Sequence, residues 1–167
     1  MNRCSWAKEN DPLIIEYHDA EYGQKKDCDN DLFEKLCLEC FQAGLSWRIV
    51  LAKRDALRQC FYDFDPVKIS KMTEKDVERM MSDSRIIRNR HKIEAVIHNA
   101  KAHQLLFVKQ GSFSRWVYSC KSGEELSINL KKKGYRFLGP TICSSFLMSV
   151  GAIEGHEKSC FLYKGEE

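Results

Sequence analysis

Residues 30–47, Asn30-Asp31-Leu32-Phe33-Glu34-Lys35-Leu36-Cys37-Leu38-Glu39-Cys40-Phe41-Gln42-Ala43-Gly44-Leu45-Ser46-Trp47, decide the fold. Leu32, Phe33, Leu36, Cys37, Cys40 and Phe41 recur at helical spacing and give a broad apolar face. Asn30 can cap this helix over Asp31 to Gln42, Gly44 ends it, and Ser46 opens the next, which runs to about Cys60. The helical period places Glu39 beside Leu32 and Leu36, at the margin of the apolar face. A carboxylate there is either a partly exposed helix residue or a desolvated acid with a task. The link between the two helices presents Leu45 and Trp47 beside a glycine turn.

Helix signals continue on both sides. Asp11-Pro12 sets a cap and a first-turn proline before Leu13 to His18, and Asp65-Pro66 repeats the device. Thr73 with Asp76 opens another helix, and a long one follows from about Arg90 to Lys109. Ser122 with Glu125 is a capping box ahead of Leu126 to Lys132, and Pro140 begins a last helix closed by Gly151. Strand-like alternation is nearly absent, so the fold class is all-α. The 167 residues fit one domain, residues 1–167, long enough to bury a core.

Composition narrows the function classes. Hydrophobic residues make up 43% and charged residues 31%, as in an ordinary globular chain. No apolar run is long enough to span a bilayer, and the polar start, Met1 to Trp6, has no apolar signal core; a cytoplasmic protein with no membrane partner is expected, and a monomer is the default. The balance of 27 basic and 24 acidic residues leaves a net charge of +3, and its placement matters more than its size. Arg85, Arg88, Arg90, His91 and Lys92 form one basic cluster, and Lys131, Lys132, Lys133 and Arg136 a second. Each is either a nucleic-acid contact or a solvated helix end.

Eight cysteines occur, which a reducing compartment keeps as thiols. Cys37, Cys40, Cys60 and Cys143 lie among apolar residues and read as small core fillers. Cys4 and Cys160 do not. His156 and Cys160 are four apart, so on a helical turn both face one way, and Cys4 and His18 stand near the other end of the chain. Together they are a Cys2His2 set, the usual tetrahedral zinc composition, with no open position for water. Such a site would be structural, one Zn2+ per chain, joining the N- and C-terminal segments into a small lobe. The alternative is free thiols and ordinary surface histidines.

Near these ligands Trp6, Tyr17 and Tyr22 add aromatic surface. An acid among aromatic faces suits a flat cationic heterocycle, through stacking, the ring quadrupole and a charged acceptor for an exocyclic amine. The same aromatics are also common core residues.

At this point the chain resembles the 3-methyladenine DNA glycosylase I family. The resemblance rests on Arg3-Cys4-Ser5-Trp6, Asp11-Pro12-Leu13, Tyr17-His18-Asp19, Glu21-Tyr22-Gly23, Leu38-Glu39, Gln42-Ala43-Gly44-Leu45-Ser46-Trp47 and Phe64-Asp65-Pro66. It continues through Ile86 to Arg90, Lys92-Ile93, Lys133-Gly134-Tyr135, Phe137 to Cys143, His156 and Cys160, in order over nearly the whole chain. It implies a helix-hairpin-helix DNA glycosylase fold with a structural zinc held by Cys4, His18, His156 and Cys160. Glu39, as the catalytic residue, would hold the excised base with Tyr17 and Trp47, while Trp6 and Tyr22 line the pocket. Leu45, on the Gly44 turn, would enter the duplex where the base has left. The hairpin near Ser84 to Arg90 would offer backbone N–H groups with Arg88, Arg90 and Lys92 to phosphates.

The implied activity is base excision: 3-methyladenine is flipped out of alkylated double-stranded DNA and its N-glycosidic bond is hydrolysed. No lysine falls in the matched pocket motifs to form a Schiff base, so hydrolysis without strand cleavage is expected. Departures from the family pattern are Arg85 where glycine is usual, Ile14 where an aromatic is common, Tyr22 for a tryptophan, Ser144 for a tyrosine, and a short segment between Trp116 and Leu130. They leave a second reading open, a homologue that binds damaged DNA without cleaving it.

Overall fold

The computed structural model describes residues 1–7 and 10–165, and among them every regular element is helical. A short 3-10 turn, Ser5–Ala7, leads to α1 (Pro12–Ala20), α2 (Asp29–Gln42) and α3 (Trp47–Cys60). A second 3-10 turn, Tyr62–Phe64, precedes α4 (Pro66–Ile69), α5 (Glu74–Met81), α6 (Arg90–Gln110), α7 (Phe113–Ser119), α8 (Gly123–Lys132) and α9 (Pro140–Ser149). Among the described residues no helix is long and apolar enough to cross a membrane.

Local chemistry explains most of these starts. The Asp11 carboxylate accepts from the Leu13 amide at 3.1 Å, and Asp65 from that of Val67 at 2.9 Å. Thr73 and Asp76 form the capping box at α5, Asn89 caps α6 through the Lys92 amide, and Ser122 caps α8 through the Glu125 amide. Each satisfies an amide that a helix start leaves without a partner.

Two elements differ from expectation. α2 begins at Asp29, with Cys28 at the cap, rather than after Asn30. The Asp29 carboxylate instead accepts from the Phe113 and Ser114 amides at 3.1 and 2.8 Å, and so anchors α7, a helix the sequence pattern did not single out. His156 and Cys160 lie on a turn beyond α9, not on a helix.

α2 is the axis of the molecule. Phe33, Cys37, Leu38 and Phe41 pack into one core with residues of α3, α5 and α6. Leu32, Leu36 and Cys40, on the adjoining stripe, pack with α7, α8 and α9. A helix whose broad apolar face is shared between two cores is a central helix, not an amphipathic surface one. A third cluster, Ile14, Tyr17 and Leu51 with Trp47 and Tyr22 against it, joins α1 to α3. Of the cysteines expected as core fillers, Cys37, Cys40 and Cys143 are buried and Cys60 is partly so.

Candidate active site

Lys35 and Glu39 stand one helical turn apart on α2, and both are buried, at 2% and 1% exposure. The margin position read for Glu39 becomes interior because α2 is covered on every side over this stretch. Both Glu39 carboxylate oxygens are buried without a hydrogen-bond partner. The neighbouring Ser149 hydroxyl donates to the Phe146 carbonyl at 2.8 Å. Burial pushes the Glu39 carboxyl above the usual range, and the Lys35 charge and the nearby Ser149 hydroxyl oppose that shift. A buried acid without a partner is an unsatisfied acceptor, at a cost of about 1–3 kcal/mol or more, and marks a place for a ligand donor.

The aromatic residues gather beside it. Tyr17 on α1 and Trp47 at the start of α3 have ring centroids 5.4 Å apart and an interplanar angle of 22°. Trp6 meets Tyr22 edge-on at 4.9 Å and Tyr17 at 6.2 Å. Tyr17 is buried and Trp6 exposed, so the cluster runs from interior to surface. The Glu39 charge acts on both Tyr17 and Tyr22, whose hydroxyls burial holds strongly protonated.

Lys35 is the residue that the motifs missed. Its ammonium donates to the Tyr17 hydroxyl and lies 4.3 Å from the Tyr17 ring centroid and 4.1 Å from that of Trp47. No lysine falls in the matched motifs, as read from the sequence, but Lys35, one turn before them on α2, reaches the same aromatic pair. The signal was available: a lysine one turn before Glu39 on a helix apolar around most of its circumference. Behind it lies a cavity of about 420 Å³, lined among others by Glu16, Glu21, Glu34 and Arg54.

The turn that places Trp47 is tightly held. Gly44 has φ of +77°, the left-handed region that glycine enters freely. The Gln42 side-chain amide donates to the Leu45 carbonyl at 2.7 Å. Lys92, expected among the DNA contacts, points inward at 7% exposure and donates to the Phe41 and Ala43 carbonyls at 2.8 and 2.7 Å. It holds the end of α2 rather than facing solvent. Leu45 is half-buried.

The hairpin joins α5 to α6. Arg85 does not adopt positive φ, so the strain that arginine would bring to a glycine site does not arise. Its guanidinium pairs with Asp83 at 2.7 Å and donates to Gln59 at 2.8 Å, which locks the turn. Arg90 is engaged by Glu74 at 2.6 Å, by Glu78 and by Glu94. Arg88 is exposed.

Two other departures share one cause. A Cβ built on Gly123, the first residue of α8, would lie 2.0 Å from the Ser144 hydroxyl oxygen. The short connection from α7 thus seats α8 directly on residue 144, where a bulky side chain has no room. Ile14 is core, packed in the cluster of Tyr17 and Leu51.

Cys4, His18, His156 and Cys160 converge. All four are buried, and their ligand atoms lie within 4.8 Å of one another, a group that could hold a metal ion. The Cys4 sulfur is 3.5 Å from His156 Nδ1, and the Cys160 sulfur is 3.4 Å from His18 Nε2 and 3.7 Å from His156 Nδ1. His18 Nδ1 meets Asp19 at 2.8 Å, and Asp19 is in turn gripped by Arg3. The Glu157 amide points at the Cys4 sulfur at 3.3 Å and the Leu162 amide at that of Cys160 at 3.5 Å. Such outer partners fix the ring orientation and temper the thiolates of a metal site. Gly23 is required nearby, because a Cβ there would come within 2.8 Å of His156.

Comparison with known proteins gives the family and the fold. A family model described as methyladenine glycosylase matches residues 6–125 and 119–163, two pieces that meet at the short α7–α8 connection. DNA-3-methyladenine glycosylase 1 of Escherichia coli (strain K12) is 41% identical over 187 aligned positions, covering all of both chains. DNA-3-methyladenine glycosylase of Haemophilus influenzae is 38% identical over 178, covering 95% of this chain and 96% of its own. Among solved structures, one of 3-methyladenine DNA glycosylase I from Staphylococcus aureus, described as giving the structural basis of 3-methyladenine recognition, superposes with a TM-score of 0.91 at 33% identity. It covers 100% of this chain and 99% of its own.

Proposed function

This chain belongs to the methyladenine glycosylase family, and on that premise we propose that it hydrolyses the N-glycosidic bond of 3-methyladenine turned out of alkylated duplex DNA. The observation that carries the reading is the Glu39 carboxylate, buried without a hydrogen-bond donor beside the Tyr17–Trp47 pair. Methylation at N3 gives the base a positive charge. It can therefore leave with the bonding electrons as a neutral molecule, while water adds to C1′ of the sugar and releases a proton. Little acid catalysis is needed. Glu39 accepts from the exocyclic amine and attracts the cation, the rings stack on it, and closure of the site excludes water from all but the reacting face.

Leu45 on the Gly44 turn is the residue we assign to the gap left in the duplex. The hairpin amides and Arg88 take the phosphates, while Arg85, Arg90 and Lys92 shape the surface that does so. The helix-hairpin-helix element is α5, the 82–89 turn and α6.

Cys4, His18, His156 and Cys160 would hold one zinc ion. A tetrahedral zinc with Zn–S of about 2.3 Å and Zn–N of about 2.0–2.1 Å sets sulfur and nitrogen about 3.6 Å apart. The separations of 3.4 to 3.7 Å support that fit. With every position filled by protein, the ion would supply cross-linking and no chemistry. It would tie the N-terminal turn to the C-terminal one and so steady Trp6 and Tyr22 over the pocket.

A second reading, a binder of damaged DNA without base release, is favoured by Lys35 occupying the aromatic pair. One assay separates the two. The protein is incubated with methylated duplex and the released bases are chromatographed; 3-methyladenine above the spontaneous rate is expected, and duplex binding without it would transfer the function to the second reading.

A further inference from the structure

A carboxyl that is buried and hydrogen-bonded to nothing tends to keep its proton, because desolvation opposes the charged form. Both Glu39 oxygens are in that position, yet a protonated acid offers a cationic base no opposite charge. The groups that face Glu39 come from three directions. Tyr17 of α1 and Tyr22 just past it feel its charge, as does Cys143 of α9, and burial holds the proton firmly on all three. Ser149 of α9 favours the carboxylate, but its hydroxyl proton goes to the Phe146 carbonyl. Among the described residues the cation that acts on Glu39 is Lys35, one turn back on α2.

Lys35 is fixed where it can do this. Its ammonium donates to the Tyr17 hydroxyl and lies over the Tyr17 and Trp47 rings, 4.3 and 4.1 Å from their centroids. On its far side the cavity is lined by four carboxylates, Glu16, Glu21, Asp31 and Glu34. Four cations answer them, Lys35 together with Lys26, Arg54 and Arg58. Glu21 pairs with Arg54 at 2.8 Å and with Lys26 at 3.8 Å, and Glu34 with Arg58 at 2.8 Å. The lining is therefore balanced with Lys35 charged, and Glu39, which lies outside it, leaves the neighbourhood one negative charge in excess. Burial lowers the Lys35 proton affinity, and Glu39 and Glu21 oppose that shift, so Lys35 and Glu39 each sustain the other's charge.

We propose that Lys35 is a positioning residue that holds Glu39 ionised, so that the surplus negative charge of the site sits on the carboxylate that meets a cationic purine. The inference rests on the reading that Tyr17, Trp47 and Glu39 form the base site. Lys35 acts through Glu39. Without its ammonium, burial governs the acid, Glu39 takes up a proton at a higher pH, and the surplus charge stays in the cavity behind, out of reach of the base.

The test reads Glu39 itself. The full chain is labelled with carboxyl-13C glutamate, the Glu39 resonance is identified as the one missing from Glu39→Gln, and its pH titration is followed by NMR in wild type, Lys35→Met, Lys35→Gln and Lys35→Arg. In Lys35→Met the proton affinity of Glu39 should rise about tenfold or more, the effect of removing one nearby opposite charge. Lys35→Gln keeps a donor for Tyr17 without the charge and should rise similarly, which answers the question should the methionine variant fail to fold. Lys35→Arg keeps the charge and should stay within about threefold of wild type. In single-turnover release of base from methylated duplex, the acid limb should move to higher pH in step with the titration. A Glu39 affinity unchanged within about twofold in the folded charge-free variants, or release that falls at every pH with its acid limb unmoved, would overturn the proposal. A titration that shifts as expected in a protein that releases no base would instead sink the glycosylase reading and leave the coupling of Lys35 to Glu39 standing.

Discussion

The Lys92 ammonium lies 2.7 Å from the Ala43 carbonyl oxygen, joining the first turn of α6 to the end of α2 across a separation of 49 residues. It also meets the Phe41 carbonyl, so one cation satisfies two of the acceptors that a helix end leaves free. The hairpin that would meet DNA and the turn that would enter it are thus one rigid unit.

This makes Lys92 and Arg88 behave differently when removed. Lys92→Met should cost about 2–3 kcal/mol in stability by leaving both carbonyls without a donor. The salt dependence of duplex binding should not change. Arg88→Ala should leave stability alone and lower the slope of log K against log salt by about 0.9, one phosphate contact. Urea unfolding and a salt series of binding isotherms measure both.

The metal quartet gives a second prediction. Elemental analysis should find about one zinc per chain. Cys160→Ser should lose it and destabilise the chain by about 3 kcal/mol, the scale of removing a cross-link between distant segments, or about 10 °C in Tm. A chain that is free of metal and equally stable would remove zinc from the account.

Acid should unfold the protein partly through His103. This side chain is buried against Phe33, Phe107 and Phe113 and lies 2.9 Å from the Tyr135 hydroxyl. Burial lowers its pKa from 6.5 to about 4. The folded state thus keeps the ring neutral where the unfolded state takes up a proton. The stability cost is absent above about pH 6.5 and grows as pH falls toward 4, reaching about 3 kcal/mol. His103→Gln should be less stable at neutral pH, having lost the Tyr135 contact, yet show a flatter fall of Tm between those limits.

Much of this was legible in the sequence, because caps and apolar spacing are local signals. Asp11-Pro12, Asp65-Pro66 and Thr73 with Asp76 mark helix starts whatever the rest of the chain does. What spacing could not give was partnership. Glu39 was placed at a margin because one helix was considered alone, while in the fold its carboxyl faces Tyr17 of α1 and Ser149 of α9. Lys92 looked like a surface cation because only its sequence neighbours were visible. Lys35 escaped because the pocket motif begins at Leu38, one turn too late. Ser144 and the short α7–α8 connection read as separate oddities until Gly123 was seen to rest on residue 144.

The account turns on the Glu39 carboxylate, and its most direct test is single-turnover release of 3-methyladenine from methylated duplex by wild type and Glu39→Gln. Because burial raises the Glu39 pKa, wild-type release should fall on acidification at a higher pH than a solvent-exposed glutamate would give. Glu39→Gln should fold normally, release base about a hundredfold more slowly, the scale of losing one preorganised charge, and lose that acid limb. Equal rates with the same pH profile in both proteins would contradict the central claim.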